Sequence, residues 1–185
     1  MYKKGEIMDL FEAIKNRYSY RGDYKEIEVP IKHLKQIVKA GLQAPSGSNK
    51  QTTTFVIVND VKILNKIREV LPEVKPIQTT SAIIVCIIDK NPEQIHGTPH
   101  YEIEDCSAAT ENMLLAIVAL GYASVWFDGS LRVDQIAEKI GEIIDLPKTK
   151  IVRVLLPVGI PTTEGPRPDK LPFDQRAWFN RYNHE

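Results

Sequence analysis

The 185-residue sequence predicts a mixed α/β or α+β layered domain. Three observations lead there. Helical patterns come first, and strand patterns alternating with helices follow them. One strand, Ser81 to Ile88, is apolar without interruption, as a central strand covered on both faces requires. One helix, Tyr101 to Leu120, is apolar nearly all round in its second half, which places it in a core or at a subunit interface.

The elements follow in order. Leu10, Ala13 and Ile14 make a short helical stripe with Asp9 as its cap. Pro30 opens a second helix, with Ile31, Leu34, Ile37, Val38 and Leu42 facing one way and Lys32, Lys35, Gln36 and Lys39 another. Ala44-Pro45 ends it. Thr54 to Val58 is rich in β-branched and aromatic residues and reads as a strand. Asn59-Asp60 caps a helix striped by Val61, Leu64, Ile67 and Leu71, which Pro72 stops. After the apolar strand, Asn91 to Pro99 is loop. The long helix carries Ile103, Cys106, Ala109, Met113, Ile117 and Leu120 near one face, and Gly121 suits the position after its end. Ala123 to Phe127 is expected as a third strand, Val133 to Ile140 as a helix stopped by Gly141, and Ile151 to Val158 as a fourth strand.

Composition narrows the function. Hydrophobic residues are 43% and charged residues 26%, as in an ordinary globule. Lys plus Arg and Asp plus Glu both number 24, so no global positive field recommends a nucleic acid. Cys86 and Cys106 form no CxxC motif and read as small core residues. No apolar run reaches the ~18 residues of a membrane span, and Met1 to Asp9 lacks an apolar signal core, so a cytoplasmic location is expected. His96 and His100, with Glu104 and Asp105 nearby, are separated by Gly97 and Pro99, which argue against a helical histidine pair and hence against a metal site. His33 and His184 read as surface residues. No GxSxG, GxGxxG or GxxxxGK[ST] motif occurs.

Two segments are poorly explained by packing. Arg17, Ser19 and Arg21 alternate, which places them on one side of an extended chain. Adjacent guanidiniums call for an anion between them, and a phosphate is a good candidate. A solvated basic turn paired with Asp23 or Glu26 is the duller alternative. Ala44-Pro45-Ser46-Gly47-Ser48-Asn49 reads equally as a plain helix exit. Asn49 nevertheless offers the donor and acceptor that a pyrimidine-like ring edge requires. Ser124 to Gly129 runs into a turn whose freed N–H groups can meet a ligand acceptor, or is an ordinary strand exit. Ile160 to Glu185 holds four prolines, then Trp178, Phe179 and Tyr182. It has too little periodicity to fold alone and must lie on a surface, its own or a partner's.

In this order the segments resemble the nitroreductase family of FMN-dependent oxidoreductases, over about Met8 to Tyr182. Arg17-x-Ser19-x-Arg21 is similar to the family's R-x-S-x-R/K opening, and Ala44-Pro45-Ser46-x-x-Asn49-x-Gln51 to its A-P-S-x-x-N-x-Q segment. Gly121-x-x-x-Val125-x-x-Asp128-Gly129, Leu156-Pro157-Val158-Gly159-Ile160-Pro161, and Arg167 with Lys170-Leu171-Pro172 resemble three later family segments.

The resemblance implies an α+β sandwich with a central, mostly antiparallel sheet flanked by helices. It implies a homodimer whose C-terminal tail is exchanged between subunits: residues 1–160 would form the FMN-binding domain, and 161–185 an extension packing Trp178 and Phe179 on the partner. Arg17 and Ser19 would hold the FMN phosphate, joined by Arg167 and Lys170. Arg21 would approach N1 of the flavin. Pro45, Ser46 and Asn49 would come from the other subunit and line the ring edge. The N–H groups of Asp128 and Gly129 would meet N5 and O4.

The implied activity is ping-pong hydride transfer from NAD(P)H to a nitroaromatic, quinone or similar flat electrophile, with no catalytic side chain required. Reductive dehalogenation or flavin breakdown on the same fold, a non-catalytic flavin-binding protein, and a cofactor-free structural dimer are the alternatives. Two features depart from the family: Thr52-Thr53-Thr54 follows Gln51 where Pro-Trp is common, and the chain is short, so Asn91 to His100 is all that could serve as a lid.

Overall fold

A computed structural model describes residues 8–92, 94 and 100–182. Its centre is a three-stranded antiparallel sheet in the order β1-β2-β3 (Thr54–Val58, Ala82–Asp89, Lys150–Val158). The helices are α1 (Leu10–Asn16), α2 (Ile31–Leu42), α3 (Val61–Val70), α4 (Lys75–Thr79), α5 (Glu102–Ala119) and α6 (Ile136–Ile143).

Strand β2 is buried on both faces, as its uninterrupted apolar run requires. Period-2 alternation divides it between two cores. Ala82, Ile84, Cys86 and Ile88 pack with Leu34 and Ile37 of α2 and with Cys106, Met113 and Ile117 of α5. Ile83, Val85 and Ile87 pack with Leu64 and Ile67 of α3, Ile77 of α4 and Ile140 of α6. Helices thus cover both faces of the sheet, and the expected sandwich with its antiparallel sheet is present. Cys86 and Cys106 are both core residues; Thr110 Oγ1 lies 3.7 Å from Cys86 Sγ. Its hydrogen bond to neighbouring Cys106, and burial, push the Cys86 thiol up, so it stays protonated and inert.

The caps fall where the side-chain chemistry places them. Asp9 Oδ1 accepts from Phe11 N–H at 2.9 Å, and Asp60 Oδ1 accepts from Lys62 and Ile63 N–H at 2.8 and 3.1 Å. Gly121 follows α5 at φ +82°.

Three expectations are corrected. Ala123 to Phe127 is not a strand: besides a parallel bridge from Ser124 to Ser19, it makes two isolated antiparallel bridges, Ala123 to Gly159 and Phe127 to Leu155. The two antiparallel bridges share one register, which would set Val125 opposite Pro157. Pro157 has no N–H to donate there, and its carbonyl accepts from the Tyr24 hydroxyl at 3.2 Å, so the ladder breaks in the middle. The helix read as Val133 to Ile140 runs from Ile136 to Ile143, after a 3₁₀ turn at Ser130–Arg132. Gly141 lies inside it: a helical glycine costs only about 1 kcal/mol relative to alanine, less than burying Ile140 returns. Helix α4 went unread, because five residues are too few to show a helical period.

At the exit of β3, Gly159 meets buried Tyr24 so closely that an added Cβ would lie 2.6 Å from the ring. Gly159→Ala is expected to lower stability by about 1–3 kcal/mol through overpacking, read as a fall in the urea midpoint.

Candidate cofactor site

The basic segment leaves α1 in an extended conformation, with Arg17 at φ −67° and ψ 126°. Extension puts Arg17, Ser19 and Arg21 on one side and turns Tyr20 and Tyr24 inward, where both are buried. Tyr20 N–H donates to Ser124 O at 2.8 Å, beside the parallel bridge from Ser19 to Ser124. The Tyr20 hydroxyl donates to Asp23 O at 2.6 Å and accepts from Thr162 N–H at 3.2 Å. Burial, with Tyr20 and Tyr18 nearby, raises the Tyr24 phenol far above its ordinary range, so Tyr24 is a neutral anchor.

This frame brings Arg17, Ser19 and Arg21 together with Arg167 and Lys170 around one cavity of about 890 Å³. Lys15 adds a fifth cation, against the single carboxylate of Glu111. Arg17 Nε lies 3.2 Å from Glu111 Oε1, so Arg17 pairs with α5 rather than with Asp23 or Glu26. That pair engages Nε, and a guanidinium carries further donors on its two Nη groups. Arginine forks, a hydroxyl and a lysine make a donor set suited to a phosphate.

Pro45 and Ser46 line a second groove of about 400 Å³, together with Gln51, Thr53 and Asp105. Asn49 closes the adjacent 3₁₀ turn, Gly47–Asn49. The loop is strained: Ser48, Asn49 and Gln51 have φ of 49°, 56° and 53°. Such conformations cost about 1–3 kcal/mol each and collect at functional sites. Asp105 of α5 pins the loop, accepting from Gly47 N–H at 2.8 Å, and Ser46 Oγ accepts from Gln51 N–H at 3.0 Å. The Thr53 hydroxyl beside them is buried without a partner.

Asp128 and Gly129 line neither of these cavities. The Asp128 carboxylate is paired with Arg132 and lies 3.9 Å from Arg153, so it is not a free base. The space beside Gly129 is open, since an added Cβ would meet nothing within 4 Å.

One chain therefore gathers the residues expected at a phosphate, with Arg21 beside them, and separates them from Pro45, Ser46, Asn49, Asp128 and Gly129, expected at a ring. Lys15, Tyr18, Glu111 and Asp105 were not anticipated. Nothing in sequence marks Glu111, whereas Asp105 is a carboxylate on the buried face of an apolar helix. Most of Asn91 to His100, read as a lid remnant, and His96 and His184 lie outside the described residues. Among the described residues no group of three metal-ligating side chains occurs, and no helix is long and apolar enough to cross a membrane.

The sequence pattern of the nitroreductase family matches residues 14–160, a span that contains every expected site residue except Arg167 and Lys170. The chain belongs to the nitroreductase family. It is 32% identical over 154 residues to a Methanothermobacter thermautotrophicus protein carrying the provisional name NADH dehydrogenase/NAD(P)H nitroreductase, covering 83% of this chain and 78% of that one. A Staphylococcus saprophyticus NADPH-dependent oxidoreductase is 27% identical over 95% of this chain and 75% of its own. The solved FMN-dependent nitroreductase of Clostridium difficile R20291 superposes with a TM-score of 0.77 at 26% identity, covering 92% of this chain and 98% of that one. Membership in the nitroreductase family makes this chain an oxidoreductase.

Proposed function

We propose that the protein is a homodimeric FMN enzyme that oxidises NAD(P)H and reduces a nitroaromatic, a quinone or a similar flat electrophile by a ping-pong mechanism. The observation that carries this reading is the cavity shared by Arg17, Ser19, Arg21, Arg167 and Lys170. Its donor set fits a phosphate, and the cations come from opposite ends of a chain whose relatives are nicotinamide-linked oxidoreductases by name.

In this reading Arg17, Ser19, Arg167 and Lys170 hold the phosphate by charge-assisted hydrogen bonds. Arg21 sets a cation toward N1 of the ring, and the N–H groups of Asp128 and Gly129 donate at its N5 and O4 side. Pro45, Ser46 and Asn49 of the second subunit complete the ring edge. FMN, when bound, supplies hydride chemistry at N5. The protein then needs no general acid or base, and the arginine-paired Asp128 carboxylate agrees with that.

The dimer is supported by large apolar side chains left in solvent. Leu10, Phe11 and Ile14 of α1, Ile103 of α5, and Leu171, Phe173 and Phe179 of the tail are each at least half exposed. A surface so apolar calls for a partner, and residues 161–185 act as the extension that covers it. Pro161 to Gly165 start that extension against their own domain, and beyond them the Trp178 and Tyr182 rings have centroids 4.2 Å apart.

The purified protein is expected to be a yellow dimer that oxidises NADH or NADPH when menadione or a nitrofuran is added. A colourless monomer that takes up no FMN would sink the proposal. Tight FMN without turnover would make the protein a flavin carrier rather than an enzyme.

A further inference from the structure

Arg17 is flanked in sequence by two residues that both touch Arg167. Arg167 Nη1 donates to Asn16 Oδ1 at 3.1 Å, across 151 residues. Its guanidinium carbon lies 4.9 Å from the centroid of the Tyr18 ring. The chain reaches this position by drawing Gly165 across that ring, so closely that an added Cβ would sit 2.7 Å from Tyr18 Cε2. Tyr18 is steadied in turn by buried Tyr20, edge to face with centroids 6.2 Å apart.

Two of the cavity's three arginines are held by opposite means. Arg17 leans on a carboxylate, Glu111, which offsets part of its charge. Arg167 leans on an amide oxygen and an aromatic face, both uncharged. It therefore keeps its full charge for a ligand. Asn16 occupies one guanidinium N–H and the ring face occupies none, so the remaining donors stay available. A long side chain fixed before the ligand arrives loses less freedom on binding, which strengthens the contact it makes.

We propose that Asn16 and Tyr18 are positioning residues that set Arg167 as the second phosphate-binding cation, so that the route of the C-terminal segment governs selection of a phosphorylated flavin. The proposal rests on the FMN reading above. It differs from that reading in assigning the selectivity to two uncharged residues that touch no phosphate themselves.

The test compares FMN with riboflavin, which lacks the phosphate. Both are titrated into the full-length apoprotein by flavin fluorescence, for the wild type, Tyr18→Leu, Tyr18→Phe and Asn16→Ala. Thermal melting of each apoprotein checks folding. Tyr18→Leu is expected to weaken FMN about two- to fivefold, the range of an exposed cation–π contact, and to leave riboflavin unchanged. Asn16→Ala is expected to act in the same direction, and Tyr18→Phe, which keeps the ring, to restore the wild-type preference.

If Tyr18→Leu and Asn16→Ala keep the wild-type ratio of FMN to riboflavin affinity, the positioning role is overturned while the phosphate site stands. An equal loss for both flavins overturns it too, since that is the mark of general packing. A wild type that binds FMN and riboflavin equally overturns the phosphate site itself, and this proposal with it.

Discussion

Replacing Arg17 by alanine should weaken FMN binding by about 1.5–3 kcal/mol, roughly ten- to 150-fold in the dissociation constant. The range is that of a hydrogen bond to a charged group. Arg17 earns it by position: it is three-quarters buried, its Nε is tied to Glu111 at 3.2 Å, and it lines the cavity that Arg167 and Lys170 share. With FMN bound as proposed, removing it also leaves the Glu111 carboxylate in the phosphate cavity without its partner, which pushes the loss toward the upper end. Titration of the apoprotein measures it. An FMN affinity equal to wild type would remove Arg17 from the site.

Ile84→Ala should cost about 2–5 kcal/mol of folding stability, the range for truncating a buried isoleucine where the surroundings close only in part. Ile84 is 0% exposed at the middle of the central strand, and its side chain joins the core shared with α2 and α5. Neighbouring strands fix its backbone through Ile57 on one side and Leu156 on the other, so the site has little freedom to collapse. Ile31→Ala serves as the control: Ile31 is 60% exposed, and its truncation should shift stability by no more than about 0.5 kcal/mol. Urea unfolding of both variants is the measurement, and equal effects would refute the assignment of Ile84 to the core.

Much of the fold was legible because its signals are local. The run from Ser81 to Ile88 can be satisfied only by cover on both faces, and two cores meet it there. Asp9 and Asp60 announce helix starts through short-range hydrogen bonds with their own following residues. The expected strand at Ala123 to Phe127 failed for a reason that is not local. Its β-branched and aromatic residues suit a strand, but the residue set opposite its centre is Pro157, more than thirty positions away by the numbering. Gly141 misled in the other direction, since burial around it outweighs its weak helical preference.

The candidate site divides along the same line. Residue chemistry alone singled out Arg17, Ser19 and Arg21, because alternating cations and a hydroxyl in an extended segment have no packing use. It singled out Pro45, Ser46 and Asn49 only weakly, since helix exits use the same residues. Three of the residues around that loop hold positive φ, a strain invisible in composition. Glu111 and Tyr18 gave no signal at all. Each matters through a neighbour distant in sequence, Glu111 through Arg17 and Tyr18 through Arg167.

What this sequence determined unaided is every helix but α4, the central strand, the aspartate caps, and the presence of a basic, hydroxyl-bearing segment beyond the needs of packing. Periodicity and capping act over a few residues, so the linear order contains them in full. Only the tertiary structure decided which cations share a cavity, which carboxylate tempers one of them, and where a ladder breaks. Those outcomes depend on the register of strands and the path of a proline-rich tail around Tyr18 and Tyr20, which bring together groups more than a hundred residues apart.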